Sequence, residues 1–189
     1  YSCNVGMVRI IQTIWKNSFY NYLNKFWFWQ LTNIELMNED VWSLENPSSV
    51  SLARLLNNSF WQWILTTPIQ IAAWYWALIN GWYYVKPTIV AWIEDKTKDL
   101  FYKNKKKIVR QILKPETTEQ LKNALFEIME TNKDYINNMR ISWFTLWGKS
   151  WTSQIAYKRK YKEGNGRTNA SFVWVITKDN PQYIVVIQV

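Results

Sequence analysis

Side chains suited to chemistry are scarce in this chain. It has no histidine and a single cysteine, Cys3, so its 189 residues cannot assemble a His/Cys metal site, a Cys-His pair, a Ser-His-Asp triad or an internal disulfide framework. Neither a Walker loop nor a G-x-G-x-x-G occurs, which removes the nucleotide-binding fingerprints. Two acidic pairs, Glu39-Asp40 and Glu94-Asp95, could in principle act as acid and base, but adjacent carboxylates of this kind ordinarily sit as solvated helix or loop charges. The residues predict a noncatalytic protein without cofactor or metal. What remains is cationic and aromatic. A net charge of +9 asks for an anionic partner, whether RNA, an acidic protein or a membrane surface. Two clusters, KNKKK at Lys103 to Lys107 and YKRKYK at Tyr157 to Lys162, could follow a phosphate backbone while the tyrosines stack on bases. The plainer reading makes them solvated faces, the first of an amphipathic helix continuing through Ile108, Val109, Ile112 and Leu113, the second of an edge strand. Lys105, Lys106, Lys107, Lys158, Arg159 and Lys160 are the candidate contacts to an anionic partner.

The elements that would carry these clusters can be read from periodicity. Ile155, Tyr157, Arg159 and Tyr161 alternate with Ala156, Lys158, Lys160 and Lys162, the pattern of a half-buried strand. The turn residues Glu163-Gly164-Asn165-Gly166 lead to a second strand at Ser171 to Thr177. Asp179-Asn180-Pro181 reverses the chain into a third, Tyr183 to Val189, apolar enough to be an inner strand, and Ile141 to Trp147 is a fourth candidate. Upstream, Leu121, Ala124, Leu125, Ile128 and Met129 share one helix face, started by Pro115 and a Thr117/Gln120 capping box. Residues 115–189 thus predict a small α+β domain, one amphipathic helix on a three- to four-stranded antiparallel sheet, joined to the rest by a basic helical connector over 86–114.

The middle of the chain is apolar. From Phe60 to Val85 there is no formal charge, long enough for a transmembrane helix, with Trp61 and Trp63 at one end and Trp82 and Tyr83 at the other placed like interfacial aromatic belts. The alternative is a buried helical hairpin broken at Pro68 or at Asn80-Gly81. In the first reading Trp61, Trp63, Trp74, Trp76, Trp82 and Tyr83 form a membrane anchor. Val8 to Leu31, rich in aromatics with interspersed Arg9, Lys16 and Lys25, would lie in the interface or pack on a partner, within an N-terminal helical region covering 1–59. Abundant Trp, Asn and Lys suit an AT-biased genome, an organellar one with tryptophan on a reassigned codon among the possibilities.

A span, a lysine-rich connector, the helix within ALFEIMETNKDYINNM at 124–139 and the closing YKEGNGRTNASFVWVITKDNPQYIVVIQV resemble the family of the twenty-one-kilodalton subunit of the mitochondrial presequence translocase and the related cytochrome oxidase assembly factor. The resemblance implies a noncatalytic accessory or assembly subunit of a respiratory-chain or protein-import complex in the mitochondrial inner membrane, with complex subunits and membrane lipid as partners. The resemblance implies a soluble domain facing the intermembrane space, whereas Lys86, Lys96, Lys98 and Lys103 to Lys107, following the span, would by the positive-inside rule put the C-terminal domain on the matrix or cytoplasmic side. The alternative is a structural protein of a mitochondrial ribosome, with its lysines on rRNA.

Overall fold

In the computed structural model, which describes residues 3–14, 16–40, 46–62, 64–132, 141–157, 160–161, 168–177 and 181–189, helices and short strands precede one long antiparallel meander. In chain order the elements are α1 (Asn4–Thr13), α2 (Lys16–Lys25), α3 (Leu52–Ser59), α4 (Pro68–Ile79), β1 (Tyr83–Val85), β2 (Trp92–Asp95), β3 (Leu100–Lys103) and β4 (Ile108–Gln111). They continue with α5 (Pro115–Thr131), β5 (Thr145–Gln154), β6 (Ala156–Tyr157), β7 (Lys160–Tyr161), β8 (Thr168–Thr177) and β9 (Pro181–Gln188).

The main sheet runs β5-β8-β9, with β8 pairing antiparallel to both neighbours. Residues facing each other across an antiparallel pair share a face, so Trp147 opposite Val175 and Lys149 opposite Val173 lie on the same side. Val173 and Val175 are 0% exposed, which identifies that side as the core face. There α4 lies against β9 and α5 against β5, and Ile71, Ala77, Leu78, Trp82, Tyr84, Ile112 and Leu125 close the main core around the two valines. A second core gathers Ile11, Tyr20, Leu23, Phe28, Val50, Leu55 and Ile64 from the N-terminal half. Trp74 on α4 and Phe26 touch both cores and join them.

Local chemistry sets the helix ends. Thr67 and Gln70 form a complete capping box for α4, the Gln70 N–H donating to Thr67 Oγ1 at 3.3 Å and the Thr67 N–H to Gln70 Oε1 at 2.9 Å. The Gln70 amide also donates to the Gln30 carbonyl at 2.9 Å, tying the 26–30 loop to α4.

Several expectations are corrected here. The apolar stretch 60–85 is no transmembrane helix: Pro68 opens α4, Asn80-Gly81 ends it after 12 residues, and among the described residues no helix is long and apolar enough to cross a membrane. The 86–114 connector is not helical, because its apolar residues pair as strands, Ile108–Gln111 with Tyr83–Val85 and Trp92–Asp95 with Leu100–Lys103. The capping box expected at Thr117 is absent. Lys114 is the N-cap of α5 without a side-chain bond, Pro115 takes the first turn, and Thr118 is buried. The strand expected over 155–162 divides into β6 and β7. β9 is the edge of its sheet among the described residues, with Ile184 and Val186 turned inward while Tyr183, Val185 and Ile187 are exposed. The turn expected at 163–166 lies outside the described residues.

Candidate functional site

Three parts of the chain, remote in sequence, converge on one cavity of about 380 Å³: the first turns of α1, the 59–66 connection with the start of α4, and the middle of β5. At α1, the Cys3 thiol accepts the Gly6 N–H at 3.3 Å and so serves as the N-cap, which sets Asn4 at the cavity wall. From β5 come Lys149, Ser150, Trp151 and Thr152. From the connection and α4 come Ser59, Phe60, Trp61, Thr66, Trp74 and Tyr75.

The placement of Lys149 follows from its neighbours. A Cβ at Gly148 would stand 2.6 Å from the Val173 carbonyl and 2.8 Å from the Phe172 ring, so only glycine lets β5 lie this close to β8. The end of β5 is clamped by Gln62, whose amide donates to the Gln154 carbonyl at 3.1 Å while its Oε1 accepts the Gln154 N–H at 3.2 Å. These two bonds hold the 59–66 connection against β5 as a paired strand residue would.

Electrostatically the cavity is one-sided. Its lining holds Lys149 and no carboxylate, and the Lys149 ammonium donates to the Ser150 carbonyl. Burial lowers the Lys149 pKa from its ordinary value, because desolvation disfavours the ammonium. Burial pushes the Tyr75 phenol up, so it stays protonated at neutral pH and available as a hydrogen-bond group. A polar amide at Asn4, a partly desolvated cation at Lys149 and hydroxyls at Ser59, Ser150 and Thr66, set among aromatic rings, suit an amide or carboxylate ligand with apolar substituents. The outer edge of β5 is unpaired among the described residues and offers main-chain groups beside the cavity.

Of the residues expected to anchor the chain, Trp61 and Trp74 line this cavity, Trp76 packs on the main core, Trp82 is 1% exposed within it, and Tyr83 is exposed on β1. Trp63 lies outside the described residues. Lys105, Lys106 and Lys107 are exposed between β3 and β4. Lys160 begins β7, and Lys158 and Arg159 lie outside the described residues; among the described residues Lys105, Lys106 and Lys107 do not line the cavity. The reading of the residues missed Asn4, Lys149 and Ser150. The available signals were Ser2-Cys3-Asn4 at the start of a helix and Lys149-Ser150 directly after a strand glycine.

The model of the penicillin-binding protein transpeptidase domain matches residues 1–189. Stage V sporulation protein D of Bacillus subtilis (strain 168) is 29% identical over 189 residues, spanning 100% of this chain and 29% of that protein. The peptidoglycan D,D-transpeptidase FtsI homolog of Mesostigma viride is 27% identical over 210 residues, spanning 97% of this chain and 33% of that protein. The chain thus spans about a third or less of these relatives. Penicillin-binding protein 2X from Streptococcus thermophilus superposes with a TM-score of 0.88 at 21% identity, over 100% of this chain and 28% of that one. Penicillin-binding protein 3 from Mycobacterium tuberculosis, complexed with ampicillin, gives 0.87 at 20% identity, over 100% and 42%.

These matches overturn the resemblance to the presequence translocase and oxidase assembly family, whose strand, Gly-x-Gly turn and strand pattern is that of any antiparallel meander. With it go the mitochondrial inner-membrane location, the accessory role, and the partners drawn from it, whether complex subunits, membrane lipid or rRNA. The noncatalytic expectation is corrected as well, since D,D-transpeptidases are enzymes. The fold expectation is replaced by the α/β architecture of these transpeptidase domains. With the family model covering every residue from 1 to 189, the chain belongs to the penicillin-binding protein transpeptidase domain family.

Proposed function

We propose that this chain forms one wall of the acyl-transfer site of a peptidoglycan D,D-transpeptidase. The observation that carries the reading is the meeting of Asn4 and Lys149 at one cavity. Penicillin-binding proteins carry S-x-x-K, with the serine nucleophile, together with S-D-N and K-T-G. Ser2-Cys3-Asn4 matches the second at its first and third positions, and Lys149-Ser150-Trp151 matches the third at its lysine, with serine where threonine stands. Ser2 lies outside the described residues. No S-x-x-K occurs among the 189 residues, so the serine that becomes acylated has to come from outside them.

Within this reading the roles follow from the groups. The edge of β5 pairs with the extended stem peptide through main-chain hydrogen bonds. The Asn4 amide, both donor and acceptor, orients a peptide group of the donor strand. Lys149 attracts the substrate carboxylate and, holding its proton less tightly than a solvated lysine, exchanges a proton with a hydroxyl at reduced cost. The test is acylation by a labelled penicillin of the polypeptide as its own cell makes it. The label should appear on a serine outside residues 1–189, and Asn4→Ala and Lys149→Ala should each slow acylation by about a hundred- to a thousand-fold, the loss seen when one preorganised polar group is removed from an acyl-transfer site. No label, or full rates in both variants, refutes the reading.

A further inference from the structure

The backbone treats several tryptophans as glycines. Among the described residues eight non-glycine positions have positive φ, and five of them are tryptophan: Trp27 (67°), Trp29 (62°), Trp61 (67°), Trp82 (68°) and Trp143 (72°). The others, Asn33, Asn38 and Asp99, are of the types that tolerate the left-handed region, whereas a bulky aromatic there is an outlier. Composition leans the same way: the chain holds 14 Trp and 5 Gly, where an average sequence of its length would hold about 13 glycines.

Helix ends supply an internal control. α2, α3 and α4 all close by bonding an N–H beyond the helix back to the third residue from its end. For α2 it is Phe28 N–H to the Leu23 carbonyl at 3.2 Å, for α3 Gln62 to Asn57 at 3.1 Å, for α4 Trp82 to Ala77 at 2.9 Å. This closure places one residue in the left-handed region, where glycine is the usual occupant. In α4 that residue is Gly81, with φ of 87°; in α2 and α3 the same place holds Trp27 and Trp61. A fourth case is a turn. The Phe144 N–H donates to the Ile141 carbonyl at 3.2 Å, and Trp143 takes the third position, where positive φ calls for glycine.

Packing does not account for the set. Trp27 stacks on Tyr84 at 5.2 Å and Trp61 meets Phe28 at 5.4 Å, contacts that could hold a strained residue in place. Trp143, however, is 89% exposed with the same backbone, and the buried indole N–H of Trp82 has no partner among the described residues. A requirement of the backbone explains exposed and buried cases alike.

We propose that the cell producing this protein places glycine at 27, 29, 61, 82 and 143, and at 151 in the site, by decoding as glycine a codon that another genetic code reads as tryptophan. UGA, which reassigned codes read as tryptophan, differs from the glycine codon GGA only in its first base. Position 151 rests on the transpeptidase reading, since there the indole stands where K-T-G has its glycine. The other positions rest on backbone geometry alone. The functional consequence is local: with glycine at 151 the indole wall beside Lys149 is gone, and the β5 edge becomes open to an extended peptide.

The test is tandem mass spectrometry of peptides from the protein purified from its source cells. Support is glycine at 27, 61, 143 and 151, each peptide lighter by the difference between an indolylmethyl group and a hydrogen. Tryptophan at any of these positions overturns the proposal. Penicillin acylation of the same sample separates the two claims: glycine without acylation sinks the transpeptidase reading alone, and tryptophan with acylation sinks the decoding proposal alone.

Discussion

Trp143 offers the cleanest measurement of backbone strain, because almost nothing else changes when its side chain is removed. Its indole is 89% exposed, so truncation forfeits little burial. A left-handed conformation costs an L-residue roughly 1–2 kcal/mol. Trp143→Ala retains that cost. Trp143→Gly removes it but adds about 0.5–1 kcal/mol of chain entropy in the unfolded state. The glycine variant should therefore be about 0.5–1 kcal/mol more stable than the alanine variant, and alanine close to the parent. With a urea dependence of about 2 kcal/mol per molar, the midpoints of Gly and Ala should differ by about 0.3–0.5 M in unfolding followed by far-ultraviolet circular dichroism. A glycine midpoint equal to or below that of alanine would refute the strain argument, for it would mean that the turn accepts any L-residue at its third position.

Three further outcomes follow from the site. Gln62→Ala strips both bonds from the Gln154 main chain, 3.1 and 3.2 Å, and should lower stability by about 1–3 kcal/mol in thermal unfolding. Gly148→Ala drives a Cβ to within 2.6 Å of the Val173 carbonyl, so β5 and β8 must part; the expected loss is about 1–3 kcal/mol, with slower penicillin acylation because Lys149 moves too. For Lys149 the pKa is lowered in the folded chain relative to 10.5. Below the folded pKa the ammonium is carried at a desolvation cost, and between the folded pKa and 10.5 the unfolded chain binds more protons than the folded one. Stability of the parent relative to Lys149→Met should rise with pH across that window, and urea midpoints measured at a series of pH values would show it; a flat or falling difference contradicts the burial of Lys149.

Local pattern carried some of the structure. The spacing of Leu121, Leu125 and Met129 marks the face that α5 buries, and the β-branched run at Ser171 to Thr177 lies within β8. Other segments needed partners remote in sequence. Ile108, Val109, Ile112 and Leu113 have a spacing that a helix could use, yet Ile108–Gln111 is a strand because Tyr83–Val85 lies beside it. The candidate site was illegible for the same reason. Asn4 and Lys149 are remote in sequence, and the packing of α1 on α3, the docking of α4 on the sheet and the Gln62 clamp on Gln154 bring their segments together.

The largest misreading has a more specific cause. Trp61 and Trp82 read as an interfacial belt because they flank an apolar stretch, and in the structure they flank a helix indeed, but as the residues on which the chain turns: Trp61 closes α3 and Trp82 follows Gly81 at the end of α4. An aromatic raises apparent hydrophobicity, whereas glycine at the same place signals a break. With turn residues at 61 and 82 beside Asn80-Gly81, the apolar stretch shrinks to a segment opened by Pro68 and closed at Asn80, too short to span a bilayer at about 20 residues. The geometry of the helix ends thus accounts both for the false transmembrane signal and for the glycine-like backbone, and a single mass measurement on the native protein tests that common cause.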